Sequence, residues 1–295
     1  MNLRDFRLLI ALSDHRHFAR AAEACHISQP AFSARLRGLE HALGVRIVER
    51  GARFECFTPE GERVLDWGRR IMALADGLLQ DISAARGALQ GQLRLAVVPS
   101  QLPMAGELAA MMKERHPGVE VLISSRTSKA IDLALDHYEC DIGLTYIDAE
   151  RPPAQRHWLL CEERYVAIVP HDVARFPEGP LAWSDAAGLP LALLNPEMQN
   201  RRIIDDAFRQ AGTKARADIV SDTFAALLGA VRQGRVATIL PASHAAFFGT
   251  PEKAARHDLI GPELIKSIGL VSPRRDPEMP LVAAFAALAV ERLGA

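Results

Sequence analysis

The stretch that decides the fold is residues 18–45, which read Phe-Ala-Arg-Ala-Ala-Glu-Ala-Cys-His-Ile-Ser-Gln-Pro-Ala-Phe-Ser-Ala-Arg-Leu-Arg-Gly-Leu-Glu-His-Ala-Leu-Gly-Val. Its first seven residues are rich in alanine and predict a short helix, which ends in a tight turn at Cys25–Ile27. Ser28 is a favourable N-cap for a second helix, Pro30 stands in the first turn of that helix, and Gly44 ends it. Two helices joined by a tight turn are typical of a helix-turn-helix.

The flanking sequence predicts the rest of a winged helix-turn-helix. Apolar residues recur at helical spacing from Leu3 and predict a helix before the motif. After the motif, Val45–Val48 and Phe54–Phe57 predict two short strands joined by a basic turn. We therefore expect residues 1–58 to form a helical head with a two-stranded wing.

A long helix is predicted at 59–90, with Thr58 as its N-cap and acidic residues in its first turn. Apolar or small residues recur there at gaps of three and four, at Val64, Gly68, Ile71, Ala75, Leu78, Ile82, Ala85 and Leu89. A period near 3.5 residues favours a coiled coil between two chains over a helix buried on its own domain.

Strand-like and helical runs alternate from residue 91 to residue 295. The strand-like runs are Leu93–Val98, Val119–Ser124, Asp141–Thr145, Tyr165–Val169, Leu191–Leu194, Val236–Leu240 and Ile268–Val271. The clearest helical runs are Met104–Arg115, Lys129–His137, Arg202–Ala211, Phe224–Gln233 and Leu281–Arg292. This alternation predicts an α/β domain with a largely parallel sheet.

Composition and charge restrict the class of protein. The chain has 295 residues, 49% hydrophobic and 24% charged, which fits a globular protein of two domains. Residues 1–90 hold 13 Arg against 11 Asp and Glu, whereas the remainder is acidic, so only the front favours contact with a polyanion. No signal peptide is visible, and the longest apolar stretch, Met279 to Val290, is shorter than the roughly 18 residues of a membrane span. We expect a cytoplasmic protein without membrane contact.

Motifs for catalysis or metal binding are not found in the sequence. It has no Gly-rich phosphate loop, no Gly-x-Ser-x-Gly and no His-Glu-x-x-His. The cysteines Cys25, Cys56, Cys140 and Cys161 form no Cys-x-x-Cys pair, and the group of His15, His17, Cys25 and His26 matches no common zinc spacing. We predict no enzyme activity, no cofactor and no metal.

Residues 18–45 strongly resemble the DNA-binding motif of LysR-type transcriptional regulators. The shared elements are Phe-x-Arg-Ala-Ala, Ser-Gln-Pro-Ala-x-Ser and Leu-Glu-x-x-Leu-Gly-Val. The tail of the match, Glu49-Arg50 and 58–61, also follows the family pattern. Looser agreement at 115–119, 140–143 and 234–241 extends the resemblance along nearly the whole chain. The resemblance implies a head at 1–58, a linker helix that dimerises through a coiled coil at 59–90, and an effector-binding domain at 91–295. It implies for that domain the type 2 periplasmic-binding-protein fold, with lobe I at about 91–162 and 267–295 and lobe II at about 163–266.

The predicted DNA contacts lie on the second helix of the motif and around the wing. A recognition helix presents polar side chains to base edges from its N-terminal end, and Ser28, Gln29, Ser33, Arg35 and Arg37 occupy such positions. The family resemblance places base contact on Gln29, with Ser28, Pro30 and Ser33 beside it. Arg20, Arg50 and Arg53 are the predicted phosphate contacts. The alternative is that these polar residues form a solvated helix face.

The predicted effector site lies where the strands of the α/β domain end, because open α/β sheets bind ligands there. By resemblance, the residues of one wall are Ser100, Gln101, Thr127, Ser128 and Tyr146, and those of the opposing lobe are Asn200, Arg201 and Thr223. Hydroxyls, amides and an arginine at helix starts favour a small anionic ligand. Alternatively, Arg201 is an ordinary solvated residue.

Taken with the resemblance, these features predict a sequence-specific transcriptional regulator that responds to a small molecule. The implied assembly is a homotetramer that binds a pseudo-palindromic operator in double-stranded DNA and contacts RNA polymerase. Two alternatives are a constitutive regulator without a ligand and an enzyme with a DNA-binding head. A redox disulfide between Cys140 and Cys161 is a further alternative, because some regulators of this type sense peroxide.

Overall fold

The computed structural model describes residues 1–50, 54–147 and 154–294, which form two compact units. The first unit contains Met1–Gly91 together with Asp136–Glu139, and the second contains the rest of the described chain. The helix-turn-helix, its wing and the long helix belong to the first unit, and the α/β domain makes up the second.

Three helices open the head, α1 Leu3–His15, α2 Phe18–Ala24 and α3 Gln29–Leu43. The Ser28 hydroxyl accepts a hydrogen bond from the backbone N–H of Ala31 at 3.4 Å, which confirms its role as N-cap. Gly44 ends α3 in the left-handed region, with a φ of 69°. The inner face of α3 consists of Phe32, Leu36 and Leu39, which are buried in the head core.

The wing is an antiparallel pair of strands, β1 Val48–Arg50 and β2 Phe54–Phe57. The first strand therefore begins where the predicted strand Val45–Val48 ends. The backbone before β1 does not join the strand pair, because its N–H groups are hydrogen-bonded to the C-terminal part of α3. Val45 donates its N–H to the Glu40 carbonyl at 3.2 Å, and Ile47 donates to the Glu40 carboxylate at 3.1 Å.

The long helix is α4 Pro59–Ala85, and the Thr58 hydroxyl caps it by accepting from the N–H of Gly61 at 2.9 Å. Its predicted apolar seam is wrong at the N-terminal end, because that part of the helix packs on the head. A Cβ on Gly68 would lie 2.9 Å from the ring of Phe6. The other seam residues that pack against the head core are Val64 and Ile71. The exposed large apolar residues of α4 are Leu78 and Ile82, which belong to the predicted seam, and Trp67, Leu74 and Leu79, which do not.

The α/β domain contains ten strands and seven helices in its described residues. The strands are β3 Gly91–Val97, β4 Val119–Ser125, β5 Ile142–Tyr146, β6 Gln155–Pro170, β7 Leu181–Ala182, β8 Leu191–Leu194, β9 Ala217–Ser221, β10 Ala237–Pro241, β11 Ala254–Ile260 and β12 Ile265–Pro273. The helices are α5 Leu102–Arg115, α6 Ser128–Asp136, α7 Trp183–Ala186, α8 Gln199–Gln210, α9 Phe224–Arg232, α10 Ala242–Phe248 and α11 Pro280–Leu293, and a 3₁₀ turn at Pro99–Gln101 precedes α5.

The strand order is β4-β3-β5-β12-β6-β10-β8-β9, with β11 paired to β6 and β7 paired to β11. Strand β3 is parallel to β5, and β8 is parallel to both β9 and β10, whereas the central pairs β5-β12, β12-β6 and β6-β10 are antiparallel. The prediction of a largely parallel sheet is thus right for the flanks and wrong for the centre, where β6 and β12 cross between the two halves.

Strand β6 connects the two halves of the domain because it changes partners along its length. Its residues Gln155–Arg164 pair with β12, and Tyr165–Ile168 pair with β10. The change of partner occurs between Arg164 and Tyr165, close to the predicted lobe boundary at 162/163. Side chains at this point of β6 therefore lie between groups from both halves.

Candidate functional site

One stripe of α3 presents polar groups outward from the head. Gln29, Ser33 and Arg37 are four residues apart and therefore share a helix face. Gln29 and Arg37 are exposed and Ser33 is half-buried, with Ser28 and Pro30 exposed at the start of the helix. An amide, a hydroxyl and a guanidinium on one helix stripe match the groups that read base edges in a major groove.

The other arginines predicted to contact DNA lie elsewhere. Arg20 is exposed on α2. Arg35 lies about 120° around α3 from Gln29, and its guanidinium is 3.9 Å from the carboxylate of Asp5. Arg53 and the side chain of Arg50 lie outside the described residues. The structure therefore does not bring Arg35 to the stripe that holds Gln29.

In the α/β domain, four of the predicted effector residues form one buried cluster. They are Ser100, Gln101, Tyr146 and Asn200. The Ser100 hydroxyl is hydrogen-bonded to the Tyr146 hydroxyl at 3.0 Å, and the Asn200 amide donates to the same hydroxyl oxygen at 3.4 Å. Ser100 and Tyr146 come from the half that contains β5, and Asn200 comes from α8 in the other half, so the cluster joins both.

At the centre of the cluster is Glu163 of β6, which the sequence analysis missed. Its Oε1 accepts hydrogen bonds from the hydroxyls of Tyr146 and Tyr165, each at 3.0 Å, and its Oε2 accepts from the Gln101 amide. Burial raises the pKa of Glu163 to about 7, although these hydrogen bonds lower it in part. A buried acid is thus held by neutral donors at the junction of the two halves.

The hydroxyls of Thr127 and Ser128 form hydrogen bonds outside this cluster. The Thr127 hydroxyl accepts from the N–H of Ala130 at 3.2 Å at the start of α6, and the Ser128 hydroxyl is hydrogen-bonded to that of Thr145 at 2.9 Å. They share a small cavity of about 10 Å³ with Ser100, Tyr146 and Asn200. That volume holds about one water molecule. The predicted effector cleft is closed in this structure.

Two predicted effector residues do not join this cluster. Arg201 is buried, and its guanidinium donates to the Asp205 carboxylate at 2.9 Å and to the Leu194 carbonyl at 2.8 Å. Thr223 caps α9 by accepting from the N–H of Ala226 at 3.3 Å. The cation predicted to attract an anionic effector is therefore bound within the fold.

A second, larger cavity of about 760 Å³ lies between the starts of α5 and α9 and helix α10. Its lining is mainly apolar and includes Pro99, Leu102, Thr223, Phe224, His244 and Phe247. Burial lowers the pKa of His244 to about 4, and its Nδ1 has no hydrogen-bond partner among the described residues. The volume lies within the range of roughly 300–1,000 Å³ that is typical of small-molecule sites.

Both units match known protein families. Residues 3–62 match the bacterial regulatory helix-turn-helix proteins of the lysR family, and residues 86–294 match the LysR substrate binding domain. The chain belongs to the LysR family. Its relatives are transcriptional regulators, so this LysR-type protein is a DNA-binding regulator with a substrate-binding domain and not an enzyme.

Individual relatives and solved structures agree with this assignment. The DNA-binding transcriptional dual regulator OxyR of Escherichia coli is 28% identical over 92% of this chain and 89% of its own length. The probable HTH-type transcriptional regulator LrrA of Synechococcus elongatus is 28% identical over 97% of this chain and 95% of its own length. The fold matches a full-length OxyR variant from Pseudomonas aeruginosa, with a TM-score of 0.75 and 20% identity. The match covers 100% of this chain and 98% of the OxyR chain. It also matches CbnR complexed with target DNA, with a TM-score of 0.72, 23% identity and 99% coverage of both chains.

The cysteines of this LysR-type regulator are not placed for the disulfide considered from the sequence. Cys161 lies opposite Ile268 on β12, and Ile268 lies opposite Tyr146 on β5. Cys140 lies before the start of β5 at Ile142, and Ile142 is itself roughly 13 Å along the strand from Tyr146. The Cα atoms of a disulfide lie within about 7 Å of each other. Burial, and to a smaller extent the charge of Glu163, raises the pKa of Cys161 to about 11. This thiol is therefore protonated at neutral pH.

Two features are absent from the described part of the LysR-type chain. No group of three or more His, Cys, Asp and Glu side chains there is arranged to hold a metal ion. No helix among those residues is both long and apolar enough to cross a membrane.

Proposed function

We propose that this regulator binds a pseudo-palindromic operator as a homo-oligomer, a tetramer in which heads pair through α4. The observation that carries the proposal is the exposed apolar stripe formed by Leu74, Leu78 and Ile82. Spacings of four residues place the three side chains along one side of α4, where a second copy would cover them. Two-fold pairing presents two copies of α3 to successive major grooves and requires matching symmetry in the DNA.

Within each head, Gln29, Ser33 and Arg37 would read base edges, with Ser28 and Pro30 beside them. Arg20, Arg50 and Arg53 would contact phosphates, which fix the register without reading sequence. Arg35 remains a predicted contact, in a position that suits the phosphate backbone better than the bases. The complex would act in the cytoplasm, beside RNA polymerase at a promoter.

In the α/β domain, the effector would bind at the cluster of Ser100, Gln101, Tyr146 and Asn200, next to Thr127 and Ser128. Because these groups come from both halves of the domain, a ligand among them would change the angle between the halves. A ligand shifts such an equilibrium by its difference in affinity for the two arrangements. The altered angle would change the spacing or bending imposed on the operator.

Hydrogen peroxide is not the signal that we propose, although several relatives are named hydrogen peroxide-inducible genes activators. Peroxide reacts with a thiolate, and thiolates form where the pKa of a cysteine is lowered. Cys161 has a raised pKa and Cys140 is buried. A small organic effector fits the α/β domain better.

Pairing through α4 is tested with Leu78→Asp. A charge within an apolar seam disrupts the pairing, and losing the second linked half-site reduces affinity for the full operator by about 10²-fold or more. The measurement is a DNA titration with a full operator and with a single half-site, whose affinity stays unchanged.

The matched control is Ala84→Asp, which places the same charge on an exposed position of α4 about 120° from Leu78. We expect this variant to bind the full operator as the parent chain does. Cooperative binding of the full operator by Leu78→Asp would remove the basis of the α4 pairing.

A further inference from the structure

The structure assigns a ligand class to the cluster around Glu163. We infer that the effector is an organic amine, with a protonated nitrogen that binds Glu163 and Asn200 and an apolar body in the adjoining cavity. This inference rests on the proposed effector site and specifies the charge of its ligand, which the sequence reasoning predicted to be negative.

The cluster contains a buried acid without a counter-ion among the described residues. Glu163 is 4% exposed, and its hydrogen-bond donors, two tyrosine hydroxyls and an amide, are all neutral. Lys266 lies opposite it on β12, but no described cation forms an ion pair with Glu163. The other titratable group beside it, Cys161, is also neutral. Burying an ionised carboxylate is costly unless a cation pairs with it, so a ligand cation would supply what the cluster lacks.

A ligand carboxylate does not fit the same place. The donors that would bind it, Gln101, Tyr146 and Tyr165, already donate to Glu163. A second carboxylate would therefore be buried with its donors occupied, and it would meet a like charge wherever Glu163 is ionised. Arg201, the cation predicted to attract it, is bound to Asp205 and to the Leu194 carbonyl.

The cluster also contains a buried acceptor without a partner among the described residues. Asn200 is buried, and its Oδ1 has no hydrogen-bond partner among the described residues. Its Nδ2 faces the hydroxyl oxygens of Tyr146 and Tyr165, at 3.4 and 3.3 Å. Exchanging the two amide atoms would not help, because both hydroxyl hydrogens are directed at Glu163. An ammonium group has three donors and no acceptor, which complements Asn200 Oδ1 and Glu163 together.

Two cavities beside the cluster determine where the rest of the ligand fits. The closed cavity beside Asn200 has about 10 Å³, so the cleft must open to admit an ammonium group. The apolar cavity of about 760 Å³ adjoins it, because Pro99 lines both. That cavity suits an alkyl or aryl body that leads up to the nitrogen.

The test measures the melting temperature of the full chain with pairs of probes of similar size and opposite charge. The pairs are benzylamine with benzoate and butylamine with butyrate, each at about 10 mM, since a ligand that prefers the folded state raises the melting temperature. We expect the amines to raise it and the carboxylates to leave it unchanged. Glu163→Gln should weaken amine binding by about tenfold or more, the equivalent of one charge-assisted hydrogen bond.

Glu162→Gln is the matched control, because Glu162 is the neighbouring and exposed acid on β6. This variant should respond to amines as the parent chain does. Equal amine responses in Glu163→Gln and the parent chain would overturn the inference, as would no response to either amine. Stabilisation by the carboxylates alone would also overturn the ligand class, while keeping the proposed effector site. Operator binding, measured separately, reports on the proposed regulator whichever result is obtained.

Discussion

The stripe on α3 and the cluster around Glu163 are two sets of polar side chains in opposite environments. On α3, Gln29 and Arg37 are exposed and their positions follow from one helix and its N-cap. In the cluster, Ser100 and Glu163 are buried and are held by hydrogen bonds between residues far apart in the chain. Exposed groups are available to a partner as they stand. Most of the buried groups, Asn200 Oδ1 excepted, satisfy one another and must exchange hydrogen bonds to bind a ligand.

This contrast predicts different effects for substitutions in the two regions. Changes on the α3 stripe should alter DNA binding and leave the free energy of unfolding almost unchanged, because solvated side chains contribute little to it. Changes in the cluster should alter stability and ligand response, since buried hydrogen bonds and charges contribute to both. The predictions below are ordered by the size of the expected effect.

The largest effect is expected for Glu163→Gln, through the pH dependence of stability. The raised pKa means that the folded state keeps a proton between about pH 4.5 and 7 that the unfolded state has released. Stability is therefore highest below pH 4.5, falls as the pH rises from about 4.5 to 7, and levels off above that. The loss amounts to about 3 kcal/mol at pH 8. The substituted glutamine cannot ionise, so the difference in unfolding free energy between variant and parent should shift by that amount in favour of the variant.

Urea titrations of both chains at pH 5, 6, 7 and 8 give this difference directly. The other titratable groups are the same in both chains, so their contributions cancel in the difference. Glu162→Gln, at an exposed position, should follow the parent curve. Parallel curves for Glu163→Gln and the parent would mean that Glu163 does not keep its proton in the folded state. That outcome would remove the contrast between the buried cluster and the exposed stripe.

An intermediate effect is expected for Gln29→Ala. Loss of a bidentate base contact should reduce specific operator affinity by about 2 kcal/mol, with non-specific affinity and melting temperature unchanged. Competition titrations with operator and random DNA measure both affinities. Arg35→Ala serves as the control on the other face of α3, and should leave the preference for operator over random DNA intact. An unchanged preference in Gln29→Ala would show that Gln29 does not read bases.

The sequence predicts the head well because its structure is determined locally. Ser28, Gly44 and Thr58 fix helix ends through contacts within three or four residues, so their roles can be read from the sequence. Where distant residues take part, the predictions fail. Gly68 belongs to the predicted coiled-coil seam by spacing, yet it packs on Phe6 of another helix.

In the α/β domain, the same distinction separates what the sequence predicts from what it misses. Continuous apolar runs reveal the buried strands, whereas β9 and β11 contain many exposed or half-buried residues and escape prediction. Ser100, Gln101, Tyr146 and Asn200 are candidates from the sequence, but Glu163 is not, because its role depends on residues of two other elements, the 3₁₀ turn at Pro99–Gln101 and β5. The signal available is the alternation Glu163-Arg164-Tyr165, which places the acid and the tyrosine on one face of β6.

The smallest effect is expected for Ser100→Ala, which tests whether the cluster acts as a ligand site. Ser100 precedes α5, but its hydroxyl does not cap that helix and is instead hydrogen-bonded to Tyr146 at 3.0 Å. Removing the hydroxyl should cost about 1 kcal/mol of stability and leave operator affinity without ligand unchanged. The response to benzylamine should fall as well, because Tyr146 then loses the partner that positions it beside Glu163. Ser272→Ala is the control, since it also removes a buried hydroxyl, one that donates to the Asp141 carbonyl at 3.1 Å, away from the cluster. Equal loss of stability in both variants with equal, normal responses to benzylamine would reduce Ser100 to a packing residue and remove it from the effector site.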